Sequence, residues 1–222
     1  ASGNSGGVNA TAQTLPAAAT FTGGTGADAV TLGTSTKAIT MGDGDDTVTM
    51  SGDLGAGGSI AGGDGTDTLK MTVASAQNYD GFAQTIHTGF ERVEFTNKLG
   101  TADGVDDSAT VDMAFLGADT YITVAGSQVN GVGGATATDT LTLNNMADGS
   151  TVNIAGQGAI TVAVKGAALS VANTLNIGMS SDGAITGGLV TAANVETVSI
   201  NVNDVFVDAN LDGLDDANAA DT

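Results

Sequence analysis

The sequence predicts an all-β chain of short strands, wound as a parallel solenoid. Three observations carry that expectation. A glycine- and aspartate-rich nine-residue phrase recurs within residues 23–70. Beyond it, short runs of alternating apolar and polar residues recur, punctuated by Gly, Asn and Asp. The 222 residues hold 34 Gly, 1 Pro, no Cys and no Trp, a texture of tight turns with no disulfide framework or thiolate metal site.

The charge narrows the function. The chain carries 25 acidic residues against 5 basic ones and one His, a formal net charge of −20. Only Glu91, Glu94 and Glu196 are glutamates; the other acids are aspartates. Such a surplus repels nucleic-acid phosphates and anionic membranes. No apolar run approaches the roughly 18 residues that span a bilayer, and the N-terminus shows no basic-plus-apolar leader. Nucleic-acid binding and membrane insertion are therefore not expected. With 41% hydrophobic and only 14% charged residues, the chain reads as folded. Short Asp side chains suit tight turns and rigid oxygen cages, so the bias points to a bound cation.

Residues 1–22 read as a flexible N-terminal arm or an irregular first strand. The repeat follows. Its copies are Gly23-Gly24-Thr25-Gly26-Ala27-Asp28-Ala29-Val30-Thr31, Met41-Gly42-Asp43-Gly44-Asp45-Asp46-Thr47-Val48-Thr49 and Gly62-Gly63-Asp64-Gly65-Thr66-Asp67-Thr68-Leu69-Lys70. All fit G-G-x-G-x-D-x-U-x, with U a large apolar residue and Met41 the one departure. The glycines permit positive φ and a tight six-residue turn. A three-residue strand follows with U pointing inward. The sixth-position Asp ends the turn beside backbone carbonyls, and calcium takes six to eight such oxygens.

This phrase resembles the calcium-binding nonapeptide of the RTX family. The resemblance implies a β-roll over residues 23–73, with two nonapeptides per turn and calcium between turns. The second glycines fall at 24, 42 and 63, steps of 18 and 21, so the second step implies a three-residue insertion within 52–58. By the same resemblance Asp28, Asp46 and Asp67 stack in one column. Calcium ligands are then expected from Gly24, Gly26 and Asp28; from Gly42, Asp43, Gly44 and Asp46; and from Gly63, Asp64, Gly65 and Asp67. The intervening half-turn 32–40 keeps Ile39 but puts Lys37 where Asp should stand, so calcium is expected on one side of the roll. The competing reading is a series of glycine-rich hairpins with surface aspartates.

Residues 74–89 read as a loop with one helical turn, with His87 in polar surroundings. Strands return at Phe90-Glu91-Arg92-Val93-Glu94-Phe95 and at 121–124, 140–143, 151–154, 160–164, 169–171, 174–177 and 196–202. Their spacing fits a sandwich, barrel or solenoid; one apolar side chain per short strand favours a β-solenoid over 74–203. The phrases Gly89-Phe90-Glu91-Arg92-Val93-Glu94-Phe95 and Ala193-Asn194-Val195-Glu196-Thr197-Val198-Ser199-Ile200 resemble ones that recur in RTX-type surface-layer proteins of Gram-negative bacteria. Residues 204–222 form an acidic tail. There Asp208, Asn210 and Asp212, then Gly213 and Asp216, match the first half of an EF-hand loop. Ala219 stands where the closing Glu should be, so the loop is more similar to those of dockerins or thrombospondin type 3 repeats. A solvated acidic tail is the competing reading.

These readings imply a secreted structural protein at a bacterial cell surface, binding Ca2+, folding on it and self-assembling into a layer or filament. The expected partner is a second copy of the chain, with cell-surface polysaccharide a further candidate. The alternative is a non-catalytic calcium-binding module of a larger RTX adhesin or toxin. An ice-binding solenoid would need a Thr-x-Thr column at a fixed period, which the sequence lacks. Catalysis is not expected. His87 is the lone histidine with no nucleophile or metal motif around it, and 4% aromatic residues leave little to line a sugar cleft for paired carboxylates. Lys37, Lys70, Arg92, Lys98 and Lys165 are read as strand-face partners of Asp or Glu, or as contacts to a neighbouring subunit.

Overall fold

The computed structural model describes residues 5–79, 86–97, 108–116, 121–124, 140–154, 159–169, 172–181 and 189–204. Successive turns of the chain lay strands alternately on two walls. One wall is a nine-stranded sheet of β1 (Asn9–Leu15), β3 (Ala29–Leu32), β5 (Thr47–Met50), β7 (Thr68–Met71), β9 (Arg92–Phe95), β11 (Tyr121–Val124), β13 (Thr151–Ile154), β15 (Thr174–Ser181) and β17 (Thr197–Asp204), stacked in that order. The other wall has two four-stranded sheets. The first holds β2 (Phe21–Thr22), β4 (Ala38–Asp43), β6 (Ser59–Asp64) and β8 (His87–Thr88). The second holds β10 (Ser108–Asp112), β12 (Thr140–Met146), β14 (Ala159–Val164) and β16 (Val190–Ala192). Every pairing among the described residues is parallel, so the fold is the expected all-β parallel roll continuing into a solenoid.

Side-chain period explains the core. In β3, β5 and β7 alternate residues are buried, and the parallel register sets each inward residue on its counterpart in the next turn. Val30, Val48, Leu69, Val93, Ile122, Val152 and Ile177 make one such column. On the other wall Ala109, Leu141, Ile160 and Val190 make another. The columns belong to one continuous apolar core. Threonines face outward between them. Thr110, Thr142, Thr161 and Thr191 align across β10, β12, β14 and β16 although their sequence steps are irregular. The adjacent column is Ser108, Thr140 and Ala159, so a Thr-x-Thr face exists on β12 alone within this sheet.

Several expectations are refined. Residues 9–22 are not a free arm: β1 pairs with β3, and its irregularity is a register shift between Ala10 and Thr14. The insertion expected within 52–58 lies between Met50 and Ser59, where the connection is longer than that between Leu32 and Ala38. The helical turn in 74–89 is α1 (Val73–Asn78), capped by the Thr72 hydroxyl accepting from the Ser75 N–H. Residues 169–171 were expected as a strand, but Leu169 closes a 3-10 turn, Ala167–Leu169, with its side chain 92% exposed. Strands β8, β10 and β16 and the helix α2 (Met113–Leu116) were not anticipated; the three strands are short and hold at most two apolar residues each.

Burial sorts the two faces of β12 sharply. Leu141 is fully buried, so Leu141→Ala is expected to cost about 2–5 kcal/mol. Its neighbour Thr142 faces outward, and Thr142→Ala is expected to stay within about 0.5 kcal/mol. Urea denaturation midpoints of the two variants check the pair.

A candidate metal centre at the glycine–aspartate corner

The three nonapeptides form one corner of the solenoid, where the chain passes from the four-stranded wall to the nine-stranded one. The sixth-position aspartates share parity with the inward residues that follow, so they turn inside. Asp28 and Asp46 are each 1% exposed and Asp67 is fully buried. This corrects the picture of hairpins with surface aspartates: the strands are parallel and the carboxylates are enclosed.

One hydrogen-bond pattern links the column. At the corner the Asp N–H lacks a carbonyl opposite it, and the next turn's carboxylate supplies the acceptor. Asp46 Oδ1 accepts from the Asp28 N–H at 2.7 Å, and Asp67 Oδ1 from the Asp46 N–H at 2.8 Å. Asp28 Oδ1 likewise accepts from the Val8 N–H. Each Asp carbonyl accepts in turn from the first strand residue of the next turn, as Asp28 does from Thr47 and Asp46 from Thr68. The ladder runs past the nonapeptides. Glu91 Oε2 accepts from the Asp67 N–H at 2.8 Å, and Glu196 Oε2 from the Asn173 N–H at 2.8 Å. Glu91 and Glu196 were read in the sequence only as part of a recurring phrase. The signal that places them here is the shared acid-x-apolar-x-apolar spacing, which sets Glu91 on Asp67 once Arg92 pairs with Thr68.

The second carboxylate oxygens differ. Asp28 Oδ2 accepts from the Gly24 N–H at 3.0 Å. Asp46 Oδ2 and Asp67 Oδ2 are buried without a hydrogen-bond partner. Burial pushes the Asp67 carboxyl up from 3.8 to about 6, against the pull of the Asp46 N–H and with an added push from the Asp46, Glu91 and Asp45 charges. Burial likewise raises Asp46, opposed by the Asp28 N–H and reinforced by Asp28, Asp45 and Asp43.

The glycines keep the corner tight. Gly42, Gly44, Gly63 and Gly65 all take positive φ, whereas Gly24 and Gly26 of the first copy do not. A Cβ at Gly63 would lie 1.8 Å from the Gly42 carbonyl oxygen. Successive turns therefore meet backbone to backbone. Asp43 and Asp64 pair in register and are exposed, so they are not part of the buried Asp28–Asp46–Asp67 column. Asp208, Asn210, Asp212 and Asp216 lie outside the described residues. Among the described residues no three acidic or histidine side chains converge on one point. A cation here would take the free oxygens of Asp46 and Asp67 and fill its shell with backbone carbonyls, which suits a hard oxygen-seeking ion such as calcium.

The other singled-out residues fall elsewhere. His87 is not in a polar loop. It occupies an inward position of β8, stacked on Ile60, and is 1% exposed. The Tyr79 ring meets it edge-on at 4.4 Å, and its Nε2 has no hydrogen-bond partner. On the outer face Lys70 pairs with Glu94 at 2.8 Å, and Arg92 lies over the Tyr121 ring at 4.7 Å. Lys98 is outside the described residues.

Gly63→Ala is expected to cost more than about 2 kcal/mol, from positive φ and backbone overlap together. Gly52→Ala meets open space and is expected to be neutral within about 0.5 kcal/mol; thermal melts compare the two. Burial lowers the His87 imidazole from 6.5 to about 4, so the folded state holds it neutral. Its stability contribution is full above about pH 6.5 and is lost as pH falls towards 4. Relative to the wild type, His87→Leu is expected to gain on the order of 2 kcal/mol between pH 7.5 and 4.5, read as the difference between their denaturation midpoints. No protein-family model matches the sequence, and comparison with curated proteins finds no similar one.

Proposed function

We propose that this chain is a secreted structural protein that binds calcium along the Asp28–Asp46–Asp67 corner, is ordered by it, and self-assembles at a cell surface. One observation carries the reading: two buried carboxylates each keep an oxygen without a donor, in a column that has no basic partner among the described residues. Without a cation, stacked carboxylates about one strand spacing apart, roughly 4.8 Å, repel one another. A divalent ion at their free oxygens supplies positive charge where repulsion is greatest and binds only the wound chain, so binding favours folding. Such a chain would remain loose where calcium is scarce and wind up outside the cell, where it is abundant. Self-assembly draws support from the β17 edge of the nine-stranded sheet, which no strand among the described residues covers.

Calcium titration followed by far-UV circular dichroism and by electron microscopy tests this. A rise in β signal is expected at about 10⁻⁴–10⁻³ M calcium, the range of extracellular modules, with ordered assemblies that chelator disperses. Asp46→Asn keeps an acceptor for the Asp28 N–H but removes the charge. It is expected to move the calcium midpoint at least about fivefold, and further than Asp28→Asn, whose second oxygen already has a donor. An unchanged β signal in chelator, with no shift in either variant, would refute the calcium reading.

A further inference from the structure

We infer that the C-terminal end of the solenoid is a self-complementary interface, through which two copies join β17 to β17 in antiparallel register about Ile200. The proposal does not depend on calcium binding. β17 is the last strand of the nine-stranded sheet, and among the described residues nothing pairs with its outer edge. It pairs with β15 through eight successive residues without a register shift. Its inward side chains are left open: Val198 is 45% exposed, Ile200 64% and Val202 54%, whereas Leu175 and Ile177 beneath them are 0% and 2% exposed. Natural edge strands are blunted by lysine, proline or bulges. β1, at the opposite end, has its register shift and is followed by Pro16. β17 has none of these devices.

Two features select a second copy as the occupant. The first is charge. Each copy carries −20, so copies can approach closely only where acids are lacking, and Thr197 to Asn203 is such a run; the register below confines opposition of acids to its two ends, Glu196 opposite Asp204, which weakens the pair. The second is symmetry. A twofold axis normal to the sheet through Ile200 sets Ile200 opposite Ile200 and Val198 opposite Val202, with Ser199 opposite Asn201 on the other face. All three apolar side chains then meet apolar side chains, on the same face as the core. Head-to-tail growth onto β1 fits less well. Each turn's acceptor carboxylate receives the N–H of the turn before it, so the Glu196 N–H would meet Val8 of the next copy, which occupies the carboxylate position and has no acceptor. Three apolar side chains from each copy make a small contact, so a weak, concentration-dependent dimer is expected.

The chain has no cysteine, which allows a register test. Opposed residues of an antiparallel pair have Cα atoms about 4.5–5.5 Å apart, within the roughly 4.4–6.8 Å range of disulfides. Mild oxidation of full-length Ile200→Cys is expected to give a covalent dimer in high yield. Asn201→Cys, which faces Ser199 of the other copy, is expected to give little. Sedimentation equilibrium of the uncrosslinked protein, under conditions where circular dichroism shows it folded, is expected to show dimers that Ile200→Lys weakens at least about tenfold and Thr49→Lys leaves unchanged. Circular dichroism checks that each variant is folded. A monomer at all concentrations, with no crosslink at 200, would mean that this edge is covered within one chain, for instance by residues 205–222, and would overturn the proposal. Open-ended oligomers without that crosslink would overturn it in favour of head-to-tail stacking.

Discussion

The structure depends on the parallel stacking of successive turns. Each inward side chain touches its counterparts in the turns before and after it, so register fixes the whole interior once one column is set. The same constraint governs the corner. There the backbone of one turn lies directly on that of the next, and the space at Gly63 is already taken by the Gly42 carbonyl. Glycine is needed because the neighbouring turn leaves no room for a side chain, as much as for its positive φ.

The aspartate ladder solves a second problem of the corner and creates a third. Where turn becomes strand, a backbone N–H would otherwise be buried without an acceptor; the carboxylate one turn on receives it. Repeating that solution stacks negative charges in an enclosed column. The hydrogen bonds use one oxygen of each carboxylate, and at Asp46 and Asp67 the other has no donor. A ladder built for hydrogen bonding therefore offers a divalent cation two free oxygens. Glu91 and Glu196 extend the hydrogen-bonding role on a longer arm, in turns whose spacing has drifted to 24 and 23 residues.

Solenoids concentrate their unsolved problems at the ends and at interior positions filled by the wrong kind of residue. His87 is one such position: it stands where Ile39 and Ile60 stand in earlier turns, and the column gives its imidazole no partner on Nε2. The C-terminal edge is another. The apolar column that is closed at Ile177 is open at Ile200, although the two residues are equivalent by register.

The sequence by itself determined the all-β parallel class, the column of Asp28, Asp46 and Asp67, the inserted residues after Met50 and the helical turn before His87. The class and the helical turn rest on local signals, period-two alternation and helical spacing; the column and the insertion rest on the turn glycines and on the resemblance of the nonapeptides. Tertiary structure alone decided what crosses between turns. It turned the aspartates inward and gave each a backbone donor from another turn, buried His87, aligned Thr110 with Thr142, Thr161 and Thr191, and placed Glu91 and Glu196 in the acceptor role. The physical reason is the drifting turn length. Once steps lengthen from 18 residues between β3 and β5 to 30 between β11 and β13, neighbours in space no longer stand at a fixed distance in the chain, and only hydrogen-bonded register shows which residues meet.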